Sequence, residues 1–151
     1  MRYLAIGDIH GCFTALTTLA EFAAFRPDDI LITLGDYIDR GPNSFAVLDW
    51  LIDYARNGQL IPLRGNHEIL MLKARENETE LSSWLKYGGD ATLKSYSPFS
   101  ESGRLADVPD KHWDFLENQT KPWFEIDTHF FVHANAFASL PLAEQPDMML
   151  Y

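Results

Sequence analysis

The sequence predicts an α/β domain built on a largely parallel sheet. Short apolar runs (Tyr3–Ile6, Ile30–Leu34 and Leu60–Leu63) alternate with stretches of helical period, the pattern of strands joined by crossover helices. Each run ends in a glycine-flanked loop carrying Asp, His or Asn. The 151 residues, 46% hydrophobic and 23% charged, have the make-up of an ordinary globular protein. A chain of that length fits one domain and can bury roughly 68–70% of its unfolded surface.

Taken in order, Tyr3–Ile6 reads as a buried strand covered on both faces. From Phe13 to Phe25, Phe13, Leu16, Leu19, Ala20 and Ala23 recur at helical spacing until Pro27 stops the helix. After strand Ile30–Leu34, Asn43 or Ser44 starts a helix that runs to about Arg56 and stops at Gly58, with Val47, Leu48, Leu51 and Ile52 as its apolar stripe. Pro62 lacks a ladder donor and places the third strand, Leu60–Leu63, at an edge. A helix follows from about His67 to Asn77. The chain then changes character: short helices broken at Gly88-Gly89, a mobile polar loop over residues 100–108 and a short helix Pro109–Asn118 read together as a helical cap over about 78–118 of a single domain, 1–151. Trp123–Ile126 and His129–Val132 form a hairpin around Asp127-Thr128.

Ligand crevices in α/β sheets lie outside the carboxyl ends of the strands. There the loops deliver Asp8 and His10, then Asp36, Asp39 and Arg40, then Asn66, His67 and Glu68. Oxygen and imidazole donors without thiolate suit divalent first-row cations. The net charge of −10 argues against sequence-independent binding to nucleic-acid polymers, which needs cationic side chains against phosphates. With Cys12 as the single cysteine there is no intrachain disulfide, and Cys12 reads as a small half-buried packing residue. The N-terminal run is too short for a secretory segment, and no run approaches the ~18–20 apolar residues of a membrane span, so the expected location is the cytoplasm.

Gly7-Asp8-Ile9-His10-Gly11, Gly35-Asp36-Tyr37-Ile38-Asp39-Arg40-Gly41 and Arg64-Gly65-Asn66-His67-Glu68 resemble the three signatures of the phosphoprotein phosphatase family of calcineurin-like metallophosphoesterases. Trp84-Leu85-Lys86-Tyr87-Gly88-Gly89 with Thr92, Ser95 and Tyr96 is similar to bacterial members, and Phe131-Val132-His133-Ala134 resembles a fourth motif. Asn135 stands where the family has glycine, and the chain ends before the family's last arginine and histidine motifs.

The resemblance implies an α/β-β/α sandwich whose C-terminal part is missing. It implies two divalent metal ions, Mn first with Fe, Zn or Ni as alternatives, held by Asp8, His10, Asp36, Asn66 and His133, with Asp36 bridging. A metal-bridging hydroxide would attack phosphorus directly. Arg40 and Asn66 would bind the phosphate, His67 would protonate the leaving oxygen, and Asp39 would orient His67.

The implied substrates are phosphoserine or phosphothreonine proteins, with symmetrical dinucleoside tetraphosphates as the alternative. A truncated, non-catalytic phosphate- or protein-binding module is the reading of another class. On the residues alone, Glu68 reads as a helix-start charge, His112 as solvent-facing, Trp84, Trp113 and Trp123 as packing residues, and spacing does not choose between His129 and His133.

Overall fold

The computed structural model describes residues 2–97, 99 and 103–151. Three parallel strands, β1 (Tyr3–Ile6), β2 (Ile30–Thr33) and β3 (Gln59–Pro62), form one sheet in that order. Leu31 and Ile32, on opposite faces of the central strand, are both fully buried, as the apolar run requires. β1 differs from expectation: Tyr3 and Ala5, which share one face of the strand, are exposed, and only the Leu4 and Ile6 face packs on the core. β3 is the other edge and ends at Pro62, whose carbonyl accepts from Lys121 N, beside a single parallel bridge between Leu63 and Lys121.

Helices α1 (Phe13–Phe22) and α2 (Ser44–Asn57) cross between the strands. α1 stops three residues earlier than its apolar spacing suggests, where Ala24 takes φ 48°. In α2, Asn43 Oδ1 caps Ala46 N at 3.1 Å, and Val47, Leu48 and Leu51 are fully buried. α3 (Asn66–Lys73) starts directly at the end of the third loop.

The segment expected as a cap comprises α4 (Glu78–Trp84), a π-helical turn (Leu85–Gly89), α5 (Asp90–Tyr96), a 3₁₀ turn (Leu105–Asp107), and α6 (Asp110–Asp114) continuing into a second π-helical turn (Phe115–Gln119). Its Trp84, Leu93, Val108, Phe115 and Leu116 join Ile6, Leu16, Leu31, Val47 and Met71 in one hydrophobic cluster. Of the loop expected over 100–108, residues 100–102 lie outside the described residues, and the rest is the 3₁₀ turn followed by buried Val108.

Two side chains reverse their expected exposure. His112 is fully buried between Tyr96 and Asp49, and Cys12 is exposed at the start of α1. β4 (Trp123–Ile126) and β5 (His129–Val132) pair antiparallel, Trp123 opposite Val132 and Ile126 opposite His129. Among the described residues no helix is long and apolar enough to cross a membrane.

Candidate metal centre

Backbone bonds lace the first two strand-end loops together, and side-chain bonds tie in the third. Ile9 N and His10 N both donate to Asp36 O, at 3.0 and 2.8 Å, and Gly11 N donates to Tyr37 O at 2.8 Å. At Gly35, φ is 103° and a Cβ would overlap Gly65 N, so this crossing of the second and third loops needs glycine. His10, Asp36, Asp39 and Arg40 have φ of 43°, 54°, 71° and 67°. Non-glycine residues held in that region cost on the order of 1–3 kcal/mol each, and such strain concentrates at functional sites.

Glu68 holds the crossing in place. Its Oε2 accepts from Asp36 N at 2.7 Å and Gly65 N at 2.8 Å, and its Oε1 accepts from Tyr37 N at 2.8 Å. Burial, with the charge of Asp36 adding to it, outweighs these three donors and pushes the Glu68 carboxyl up to about 7. The helix-start charge read from sequence is therefore a buried brace between two loops. Tyr37 lies beneath, fully buried, its hydroxyl donating to Leu63 O.

Asp36 is the meeting point of the side chains. His10 Nε2 and His133 Nε2 each lie 3.5 Å from one of its oxygens, and His67 Nε2 lies at 4.0 Å. All three rings have Nδ1 committed elsewhere: His10 to Ile38 O at 2.8 Å, His133 to Leu34 O at 2.9 Å, and His67 to Asp39 Oδ2 at 2.7 Å. A neutral ring donating from Nδ1 presents its Nε2 lone pair to the crevice, the arrangement metal-binding imidazoles adopt.

Two groups of donor atoms share the Asp36 carboxylate: His10, Asp36 and His67, and Asp8, Asp36 and His133, each set lying within 4.8 Å of one another. Asn66 Oδ1 lies 3.1 Å from His133 Nε2. With Nδ1–H of that ring donating to Leu34, two acceptors this close suit a shared cation. The donor set therefore fits divalent metal. Asp8 Oδ2 also lies 3.9 Å from His10 Nε2, so Asp8 stands beside His10 as well as within the His133 group around the common carboxylate. His129 stays outside, exposed beside Thr128, so the strand-end histidine that reaches the crevice is His133. Burial opposes a charge on His67, but its bond to Asp39 and the charges of Asp36 and Asp39 outweigh it, so the ring's pKa lies above its ordinary 6.5.

Arg40 is exposed at the mouth, with Nη1 3.2 Å from His10 Nε2. Asp39 is fully buried and is held by Trp84, expected from sequence only to pack, by Ser44, expected only to start a helix, and by Thr92. The one signal that could have found Trp84 is that a buried indole N–H needs a partner.

Fold and site together define an α/β protein with a crevice at the carboxyl edge of its sheet whose donor set fits a divalent cation. The chain belongs to the calcineurin-like phosphoesterase family, whose sequence profile matches residues 1–147. It is 42% identical over 138 residues to serine/threonine-protein phosphatase 1 of Salmonella typhimurium strain LT2, covering 90% of this chain and 58% of that protein. It is 38% identical over 73 residues to the symmetrical bis(5'-nucleosyl)-tetraphosphatase of Wigglesworthia glossinidia brevipalpis, covering 48% of this chain and 26% of that one. A crystal structure described as a candidate diadenosine tetraphosphatase superposes with a TM-score of 0.71 at 22% identity, over 98% of this chain and 57% of its own. The chain thus spans little more than half the length of the first of these relatives. The metallophosphoesterase fold expected from the motifs is the fold found.

Proposed function

We propose that this chain belongs to a metal-dependent phosphoesterase that hydrolyses phosphomonoesters of the phosphoserine or phosphothreonine type by direct attack of hydroxide on phosphorus. The observation that carries this reading is the Asp36 carboxylate, common to two sets of metal donors on one sheet edge. Asp8, His10, Asp36, Asn66 and His133 would hold two divalent cations, manganese first and iron, zinc or nickel as alternatives. When bound, such ions lower the pKa of water toward neutrality and offset phosphate charge.

The chain's own groups supply the rest. Arg40, exposed at the mouth, grips phosphate oxygens with a planar fork, and the Asn66 amide adds a polar contact. His67, its proton affinity raised by Asp39 and Asp36, delivers a proton from Nε2 to the leaving oxygen. Asp39 keeps the ring oriented through Nδ1.

The test is turnover of p-nitrophenyl phosphate with and without manganese by the parent and Asp36→Asn. Manganese-dependent turnover that falls by more than about 100-fold in the variant is expected, since losing even an outer-shell partner of a metal ligand typically costs ~10–100-fold. A parent that manganese does not stimulate and that matches the variant would leave only a phosphate- or protein-binding module. The tetraphosphatase relatives favour a second substrate, a symmetrical dinucleoside tetraphosphate. Comparing a phosphopeptide with diadenosine tetraphosphate under the same conditions decides between them.

A further inference from the structure

The geometry points to Trp84 and Thr92 as positioning residues that lock the Asp39 carboxylate, and through it His67, for protonation of the leaving group. This rests on the phosphoesterase reading above. Asp39 is fully buried, with φ 71°. Its Oδ2 accepts from His67 Nδ1 at 2.7 Å and from Trp84 Nε1 at 2.8 Å, and its Oδ1 accepts from Thr92 Oγ1 at 2.7 Å. Three donors on two oxygens fix the plane of the carboxylate and therefore the direction in which it holds the imidazole. The Thr92 hydroxyl also accepts from Asp39 N at 2.7 Å, so one side chain ties down both ends of the aspartate.

Neither residue comes from the three loops that carry the metal donors. Trp84 closes α4 and Thr92 lies in α5, on either side of the π-helical turn. That turn is shaped for the task. Gly88 has φ 106°, its carbonyl accepts from Arg40 N at 3.1 Å, and a Cβ on it would lie 2.7 Å from that nitrogen. Gly89 carries the Trp84 ring against its Cα, where a Cβ would overlap the indole. The unit from Trp84 to Thr92 thus makes four hydrogen bonds to residues 39 and 40: indole to carboxylate, hydroxyl to carboxylate, Asp39 amide to hydroxyl, and Arg40 amide to the Gly88 carbonyl.

The competing view is that Trp84 is a core tryptophan whose N–H simply found an acceptor. Leaving-group dependence separates the two. A nitrophenolate departs with little help, whereas a phenolate or a serine alkoxide needs its proton delivered, so a misaligned acid penalises the poorer leaving group more. A fold defect penalises both alike.

Manganese-loaded full chain is assayed on p-nitrophenyl phosphate and phenyl phosphate as the parent, Trp84→Phe, Thr92→Val and Thr92→Ser. In Trp84→Phe and Thr92→Val the ratio of p-nitrophenyl to phenyl turnover should rise about tenfold, the scale of outer-shell losses, with the change in kcat rather than KM. Thr92→Ser, which keeps the hydroxyl, should restore the parent ratio. Should Trp84→Phe fail to fold, the two Thr92 variants carry the test. A parent ratio retained in Thr92→Val, or a loss equal on both esters, overturns the inference while the phosphoesterase reading stands. A parent without manganese-dependent turnover removes that reading and the inference with it.

Discussion

Glu68 keeps its carboxyl group in the interior because three amide N–H groups at the crossing of two loops all donate to it. Asp36 N and Tyr37 N belong to a left-handed turn that no regular ladder can satisfy, and a buried donor left unpaired costs about 1–3 kcal/mol. Glu68→Gln turns one oxygen into an NH₂ facing an N–H, so chemical denaturation should report a loss of that size with the slope unchanged. A change within about 0.5 kcal/mol, typical of a surface substitution, would contradict the brace. The residue also marks the limit of what was readable. Asp8, His10, Asp36, Asn66 and His133 stand out by their motifs, whereas Glu68 three places after Gly65 has the spacing of a local capping box. The partners that matter lie 32 and 31 positions away.

Among the elements, α2, α5 and α6 meet at His112, whose two ring nitrogens are both occupied: Nδ1 accepts from the Tyr96 hydroxyl at 2.8 Å and Nε2 donates to Asp49 Oδ1 at 2.7 Å. Phe45 packs on the ring, and Lys111 pairs with the same Asp49. Burial pulls the His112 pKa below its ordinary 6.5, more than the bond and charge of Asp49 raise it. The folded state then resists a proton that the unfolded chain accepts. The contribution of this contact is complete above pH 6.5 and is lost progressively as pH falls below it. Unfolding of the parent and His112→Phe between pH 7 and pH 5 should show the gap between them narrowing toward pH 5. A constant gap would mean that the ring is not held neutral. His67, with its pKa shifted the other way, is common to both proteins and cancels in the difference.

Sequence placed the regular elements well because the strand runs and the stripe of α2 follow their periods. It placed His112 in solvent because a five-residue helix has too few turns to define a face. It marked the break at Gly88-Gly89 without revealing that the π-helical turn there reaches Arg40, since a bulge of that kind has no repeat to read.

At the scale of the whole molecule, a chain of net charge −10 gathers Asp8, Asp36, Asp39 and Glu68 around one crevice, and the loops that carry them are held in strained turns. Like charges brought together by folding repel, and bound divalent cations turn that repulsion into attraction. Because the donors come from three strand ends and the hairpin, folding brings together groups that the unfolded chain holds apart, and metal binding there would be coupled to stability. Manganese bound there at about 100 times its dissociation constant would add roughly 2.7 kcal/mol to the folded state. For a domain of this size that corresponds to a rise of about 5–10 °C in Tm. Thermal unfolding should display this rise, a chelator should reverse it, and Asp36→Asn should lose most of it because the substitution removes the negative charge common to both sets and leaves one oxygen where two stood. A shift of equal size in the variant would mean that manganese binds elsewhere on the acidic surface, and the shared carboxylate would then not be the organising feature of the site.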